Sequence, residues 1–169
     1  MSRIASVIIV AVLSTACASV PMAPPEADAL AKEFRTTPGK TNLYVFRDEV
    51  IGSAVKMSVV LDGRMMGDTA SKTFLLAAVD PGRHALVSKT ENDSRLEFVA
   101  EPGKNVYVWQ EVKMGVLQAR SQLQLVDDES GRTRVQQCSL ALGEMMPPLL
   151  QPSAPAPTAA KEPAAIPGM

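Results

Sequence analysis

The strongest constraint on the fold is a dipeptide. Asp62-Gly63 stands between the runs "SAVKMSVVL" and "RMMGDT". The first run places Val55, Met57, Val59 and Leu61 on one face at period two, the spacing of a half-buried strand. An Asp-Gly link between such runs is a hairpin signal, because both residues must accept positive φ. Related turn chemistry recurs at "DPGR", Asp80 to Arg83, and at "EPGK", Glu101 to Lys104, with proline where a fixed φ helps. The stretches between these turns read as further strands. "TFLLAAV" is continuously apolar, as in a strand buried on both faces. "HALVSKT" and "SRLEFVA" form a pair around "END", and "NVYVWQEV" and "SQLQLV" follow. With "NLYVFR" they make about seven strands at intervals of roughly 8–12 residues, so the expected fold is all-β, a single small β-sandwich.

The flanking segments read differently. In "DDESGRTRVQQCSLAL", Asp127 or Asp128 is placed to cap a short helix that would pack Val135, Cys138 and Leu142 on the sandwich. The same residues would also serve as a final strand. The helix is the expectation adopted. Residues 19–40 read as a tether: "PMAPP" is extended and proline-stiffened, and "PEADALAKEF" predicts about two turns of helix with Pro25 near the first position. The sandwich is expected over 41–142. Seven of the 13 prolines fall between Pro147 and Pro167, so 143–169 is expected to be disordered.

The chain opens "MSRIASVIIVAVLSTACAS". Arg3, an apolar run from Ile4 to Leu13 and a small-residue end are the three parts of an export signal. The run falls short of the roughly 20 apolar residues a membrane span needs. Two ways of processing stay open. Cleavage before Cys17 would leave that cysteine to be acylated, although Ser14 stands where a lipoprotein signal usually has leucine and Leu13 is one place early. Cleavage after Ala16-Cys17-Ala18 would start the mature chain at Ser19. Acylation at Cys17 is the expectation adopted, with the periplasmic face of the outer membrane as location. A soluble periplasmic protein is the alternative.

Charge and composition narrow the function. Seventeen basic and 18 acidic residues are mixed along the chain, with no basic stripe for a nucleic acid. His84 is the single histidine, it follows a Pro-Gly turn, and no G-x-S-x-G elbow marks a nucleophile, so no catalytic residue and no enzyme are expected. One histidine and one remaining cysteine, Cys138, cannot make a four-ligand zinc site, and no cofactor is expected. Cys138 is expected in the core. The nine methionines include the pairs Met65-Met66 and Met145-Met146, and thioethers bind Cu(I). Neighbours on a strand face opposite ways, however, so Met65 and Met66 cannot chelate together simply. Tyr107 and Trp109 share a strand face, where they would either stack on a sugar or partner, or enter the core. Lys113 and Arg120 flank an interruption at Gly115 and are candidate partner contacts.

The segments "LYVFRDEVIGSAVKMSVVLDGRMMGDT", "DPGRHAL" and "YVWQEVKMGVLQARSQLQLVDDESGR" resemble the DUF2846 family of bacterial envelope lipoproteins, from about Asn42 to Leu140. The "LDG…G…PGRH" part is shared with PEGA-like and other prealbumin-like modules. The Thr-Pro that often follows the glycine in PEGA repeats is replaced here by Asp68-Thr69. The resemblance implies a β-sandwich and an exported, often acylated protein. It supplies no activity and no functional residues. Two functions are expected to compete: a membrane-tethered domain that binds or scaffolds another envelope protein or glycan, and a periplasmic binder of a small ligand, glycan or copper.

Overall fold

The structure, a computed structural model, describes residues 19–50, 53–114 and 119–151, with backbone only at Met114 and Ala119. The order is α1 (Pro25–Ala31), β1 (Thr41–Arg47), β2 (Met57–Leu61), β3 (Arg64–Thr69), β4 (Thr73–Val79), β5 (Gly82–Lys89), β6 (Asp93–Ala100), β7 (Asn105–Met114), β8 (Ala119–Val126), α2 (Asp128–Gln136), β9 (Ser139–Leu140) and a 3-10 turn, Pro148–Leu150. Among the described residues nine strands rather than about seven form two sheets, β8-β7-β1-β4-β9 and β3-β2-β5-β6. The expected β-sandwich is what the chain builds.

Local chemistry explains the hairpins. Asp62 and Gly63 take φ of 49° and 79°, the paired positive values of the tight β2–β3 turn. β5 and β6 pair along their whole length, from Gly82 opposite Ala100 to Lys89 opposite Asp93. The five-stranded sheet also contains pairings between distant segments. β1 lies antiparallel to β4 but parallel to β7, and β4 lies parallel to β9.

Two cores follow from the alternation of side chains. Leu43, Val45, Leu61, Leu75, Leu86 and Val108 fill the space between the sheets. Tyr44, Phe46, Phe74, Leu76 and Tyr107 face the other way and are buried under the helices with Ala27, Ala31, Phe34, Val135 and Cys138. The helices therefore add a third layer over one sheet, which is why β1 is buried at every position. Removing each large apolar side chain from water stabilises by about 1.5–3 kcal/mol.

Asp127 caps α2, accepting from the Ser130 N–H at 2.9 Å. Both alternatives for this region occur in sequence: the helix ends at Gln136, and Ser139-Leu140 then pairs as β9. Two boundaries need correction. Residues 19–40 are part of the domain rather than a tether. Val20, Ala27, Ala31 and Phe34 are buried, and Asp28 of α1 accepts from the Leu140 N–H at 2.7 Å. At the other end the packed chain runs beyond 142, since Met146 and Leu150 are buried in the helix-side core. The remainder of the expected disordered segment, 152–169, lies outside the described residues, as does Cys17.

Candidate functional site: an apolar groove beside the first helix

The clearest concave feature is a groove of about 430 Å³. Leu30 and Ala31 of α1, with Glu33 and the residues from Arg35 to Pro38, form one wall. Asn42 and Tyr44 of β1 and Leu76 of β4 form the floor. Pro147, Leu149 and Leu150 form the other wall. Leu149 is 91% exposed and Leu30 50% exposed, so two leucines stand open at the rim.

The wall after α1 is held under strain. Phe34 adopts φ of 55°, unfavourable for a bulky side chain. Its ring is buried, with centroids 5.5 Å from Tyr44 and 6.1 Å from Tyr107, and the Arg132 guanidinium sits 5.1 Å above it. Its carbonyl accepts from Asn105 Nδ2 at 2.9 Å. Burial of the ring offsets a backbone cost of about 1–3 kcal/mol.

The polar atoms of the floor are already engaged. Asn42 Nδ2 donates to the Arg35 carbonyl at 2.8 Å, and Thr37 Oγ1 donates to Asn42 Oδ1 at 3.0 Å. The Tyr44 hydroxyl donates to the Ala31 carbonyl at 2.9 Å, and burial pushes its pKa up. The surface that remains is chiefly apolar. An apolar segment fits it better than a sugar, which needs convergent donors and acceptors.

None of the four residues expected as contacts lines this groove. Tyr107 is 1% exposed under α2, stacked on Tyr44 at 5.1 Å, and burial pushes its pKa up to about 12. It belongs to the core, the alternative left open by the sequence. Trp109 is half-buried. The Arg134 guanidinium lies 3.9 Å over its ring and makes two 2.7 Å bonds to Asp48, while the indole N–H donates to Glu49 at 2.9 Å. Lys113 and Arg120 are opposite each other across β7 and β8. Lys113 pairs with Glu111 at 2.6 Å, and Arg120 lies 3.5 Å from Glu91. Gly115 lies outside the described residues.

His84 joins turns. Its Nδ1 faces Asp62 Oδ2 at 2.6 Å, and its Nε2 faces the Asp80 carbonyl at 2.8 Å. A carbonyl must accept, and a carboxylate prefers to, so both ring nitrogens are best satisfied as donors. Burial lowers the imidazole pKa, but the Asp62 and Asp80 bonds outweigh it and the net shift is upward. Both nitrogens are committed to holding turns, which leaves neither to act as a general base. Asp62 Oδ1 also accepts from the Ala85 N–H at 2.9 Å.

Among the described methionines Met57, Met66 and Met146 are buried in packing. Met66 is 1% exposed while Met65 is 39% exposed, as expected of strand neighbours. Met145 packs against the inter-sheet core and Met146 enters the helix-side core. Among the described residues no group of three or more His, Cys, Asp or Glu side chains could hold a metal ion. Cys138 is 2% exposed, and burial pushes its thiol up to about 12.

Two features were missed by the sequence. The groove is assembled from three stretches far apart in the chain, 30–44, Leu76 and 147–150, and only the apolar "PPLL" after Met146 hinted at it. A buried polar chain also crosses between the sheets. The Thr69 hydroxyl meets Gln110 Oε1, Gln110 Nε2 donates to Ser88 Oγ at 2.6 Å, and Ser121 Oγ donates to Ser88 Oγ at 2.7 Å. All four residues are buried. Such a chain favours one register of the sheets, because a slip would strand its polar atoms.

Over 140 residues, 82% of this chain and 83% of its relative, the sequence is 35% identical to a protein of Haemophilus influenzae named "Uncharacterized protein". No solved structure shows significant similarity to it. Residues 37–122, spanning β1 through the start of β8, match the family described as "Protein of unknown function (DUF2846)". The chain belongs to the DUF2846 family.

Proposed function

We propose that the protein is exported, acylated at Cys17 and held at the periplasmic face of the bacterial outer membrane. There it acts as a non-enzymatic binding domain. The groove takes an apolar segment of another envelope protein. The observation that carries this reading is the groove itself: leucines open at its rim, floor polar atoms already bonded, and a strained wall at Phe34. The leader ending at Cys17 supports the location. The small-ligand reading keeps one point in its favour, since about 430 Å³ lies within the range of roughly 300–1,000 Å³ typical of ligand sites.

The test is photo-crosslinking in cells from position 149, with position 95 on β6 as control. The expected result is one discrete protein adduct from 149, absent from 95 and lost in Leu30→Glu, while Leu30→Glu leaves the melting temperature unchanged. Equal labelling from both positions, or no adduct from 149, would contradict groove-mediated protein binding. A small glycan or other ligand that raises the melting temperature of wild type but not of Leu30→Glu would favour the second reading.

A further inference from the structure

The segment after the leader is fastened to the sandwich within three residues of Cys17. Val20 is 7% exposed and belongs to the inter-sheet core. The Leu142 N–H donates to the Pro21 carbonyl at 2.8 Å, and the Ala23 N–H donates to the Leu140 carbonyl at 2.9 Å. Met22 pairs antiparallel with Ala141, extending the five-stranded sheet beyond β9. Pro21, Pro24 and Pro25 fix φ around this attachment. A free tether from Cys17 to Thr41 could reach about 80 Å when extended. The observed attachment leaves three Cα steps, at most about 11 Å, between Cys17 and Val20.

From this we infer that the anchored protein has no spacer and that the edge of the sandwich carrying Ser19 to Met22 lies directly against the membrane surface. The inference rests on acylation at Cys17. Exposed Met22 faces the bilayer side, at 43% exposure. Glu26 and Glu144, the described charged residues nearest this attachment in the chain, are acidic, and it is chain length that holds the edge there. The consequence for the groove is a restriction on its occupant. A domain held this close cannot reach across the periplasm, so its partner must come to this membrane face.

The test uses the full acylated protein in vesicles of phosphatidylethanolamine and phosphatidylglycerol that contain lipid spin-labelled at the headgroup. A bimane is placed on Met22→Cys, on Glu26→Cys, or on Arg95→Cys in β6. β6 lies beside β8, at the opposite edge of the sandwich from Met22. Quenching is expected to be strong at 22 and 26 and weak at 95, and unchanged in 0.5 M salt. Ten Gly/Ser residues inserted after Ala18 add about 17 Å of mean reach and should weaken quenching at 22 and 26. Equal quenching at all three sites, or no effect of the insertion, would overturn the inference. The intact mass of the same samples separates the two failures. Acyl mass with weak quenching at 22 refutes the flush edge alone, whereas absent acyl mass refutes the anchor and the flush edge with it.

Discussion

Gly131 lies inside α2, where replacement by alanine ordinarily stabilises a helix by about 0.5–1 kcal/mol. Here the sign should invert. A Cβ on Gly131 would stand 2.3 Å from Tyr107 Cγ, 2.6 Å from its Cβ and 2.8 Å from its Cδ1. Those atoms are the root of a side chain, fixed by the β7 backbone, and cannot swing aside as a flexible tip could. The helix must lift instead. Lifting it separates Val135 and the Arg134 stack from the sheet, and overpacking of this kind costs about 1–3 kcal/mol. Set against the helix gain, the net loss is about 1–2 kcal/mol. At about 3–4 °C per kcal/mol for a domain of this size, the melting temperature should fall by roughly 3–8 °C. Urea and thermal unfolding of wild type and Gly131→Ala measure it. In a Tyr107→Ala background Cγ and Cδ1 are gone while Cβ stays 2.6 Å away, so the same substitution should cost less than it does in wild type. An increase in stability for the single variant would refute the claim that α2 is seated directly on Tyr107.

Other consequences follow from the same contacts. Arg134→Lys keeps the charge but loses the planar stack on Trp109 and the fork to Asp48, so it should cost about 1 kcal/mol and shift the emission of the single tryptophan, measured by fluorescence. The Asp62–His84 clasp makes stability depend on pH in two opposite senses. His84 has a raised pKa, so its contribution is complete below the ordinary histidine value near 6.5 and is lost as pH rises through the higher folded value. Burial raises the Asp62 pKa, but the bonds from Ala85 and His84 lower it by more, so its contribution is present above the ordinary carboxylate range and is lost as pH falls through the folded value. His84→Gln should flatten the upper limb of a melting-temperature profile, and an unchanged profile would count against the clasp. Cys138 should resist maleimide in the folded protein and react on urea unfolding, because its thiol is both buried and held protonated.

Much of the sandwich was legible because its strands are joined by local chemistry. Asp62-Gly63, the "END" turn and the Asp127 cap each act within a few residues, and each does what its residue types require. The parallel pairing of β1 with β7 was not legible. It joins segments about sixty residues apart with no shared local signal. The packing of residues 19–40 was hidden by composition, since "PMAPP" reads as an extended linker whether or not it is bonded to a neighbour. The one clue was the spacing of Ala27, Ala31 and Phe34, a helical stripe that only makes sense with a surface to cover. Tyr107 and Trp109 illustrate the limit of alternation. It placed them together on one face but could not say that α2 would close over that face. The groove needed all of these unreadable steps at once, because its walls are the segments whose packing the sequence concealed.

The most direct test of the proposed role is the intact mass of the protein extracted from the membranes of a bacterium that processes lipoproteins. A mature chain that begins at Cys17 and carries acyl mass is the predicted result. An unmodified chain that begins at Ser19 in the soluble periplasmic fraction would contradict the anchored account and leave a diffusible binding domain.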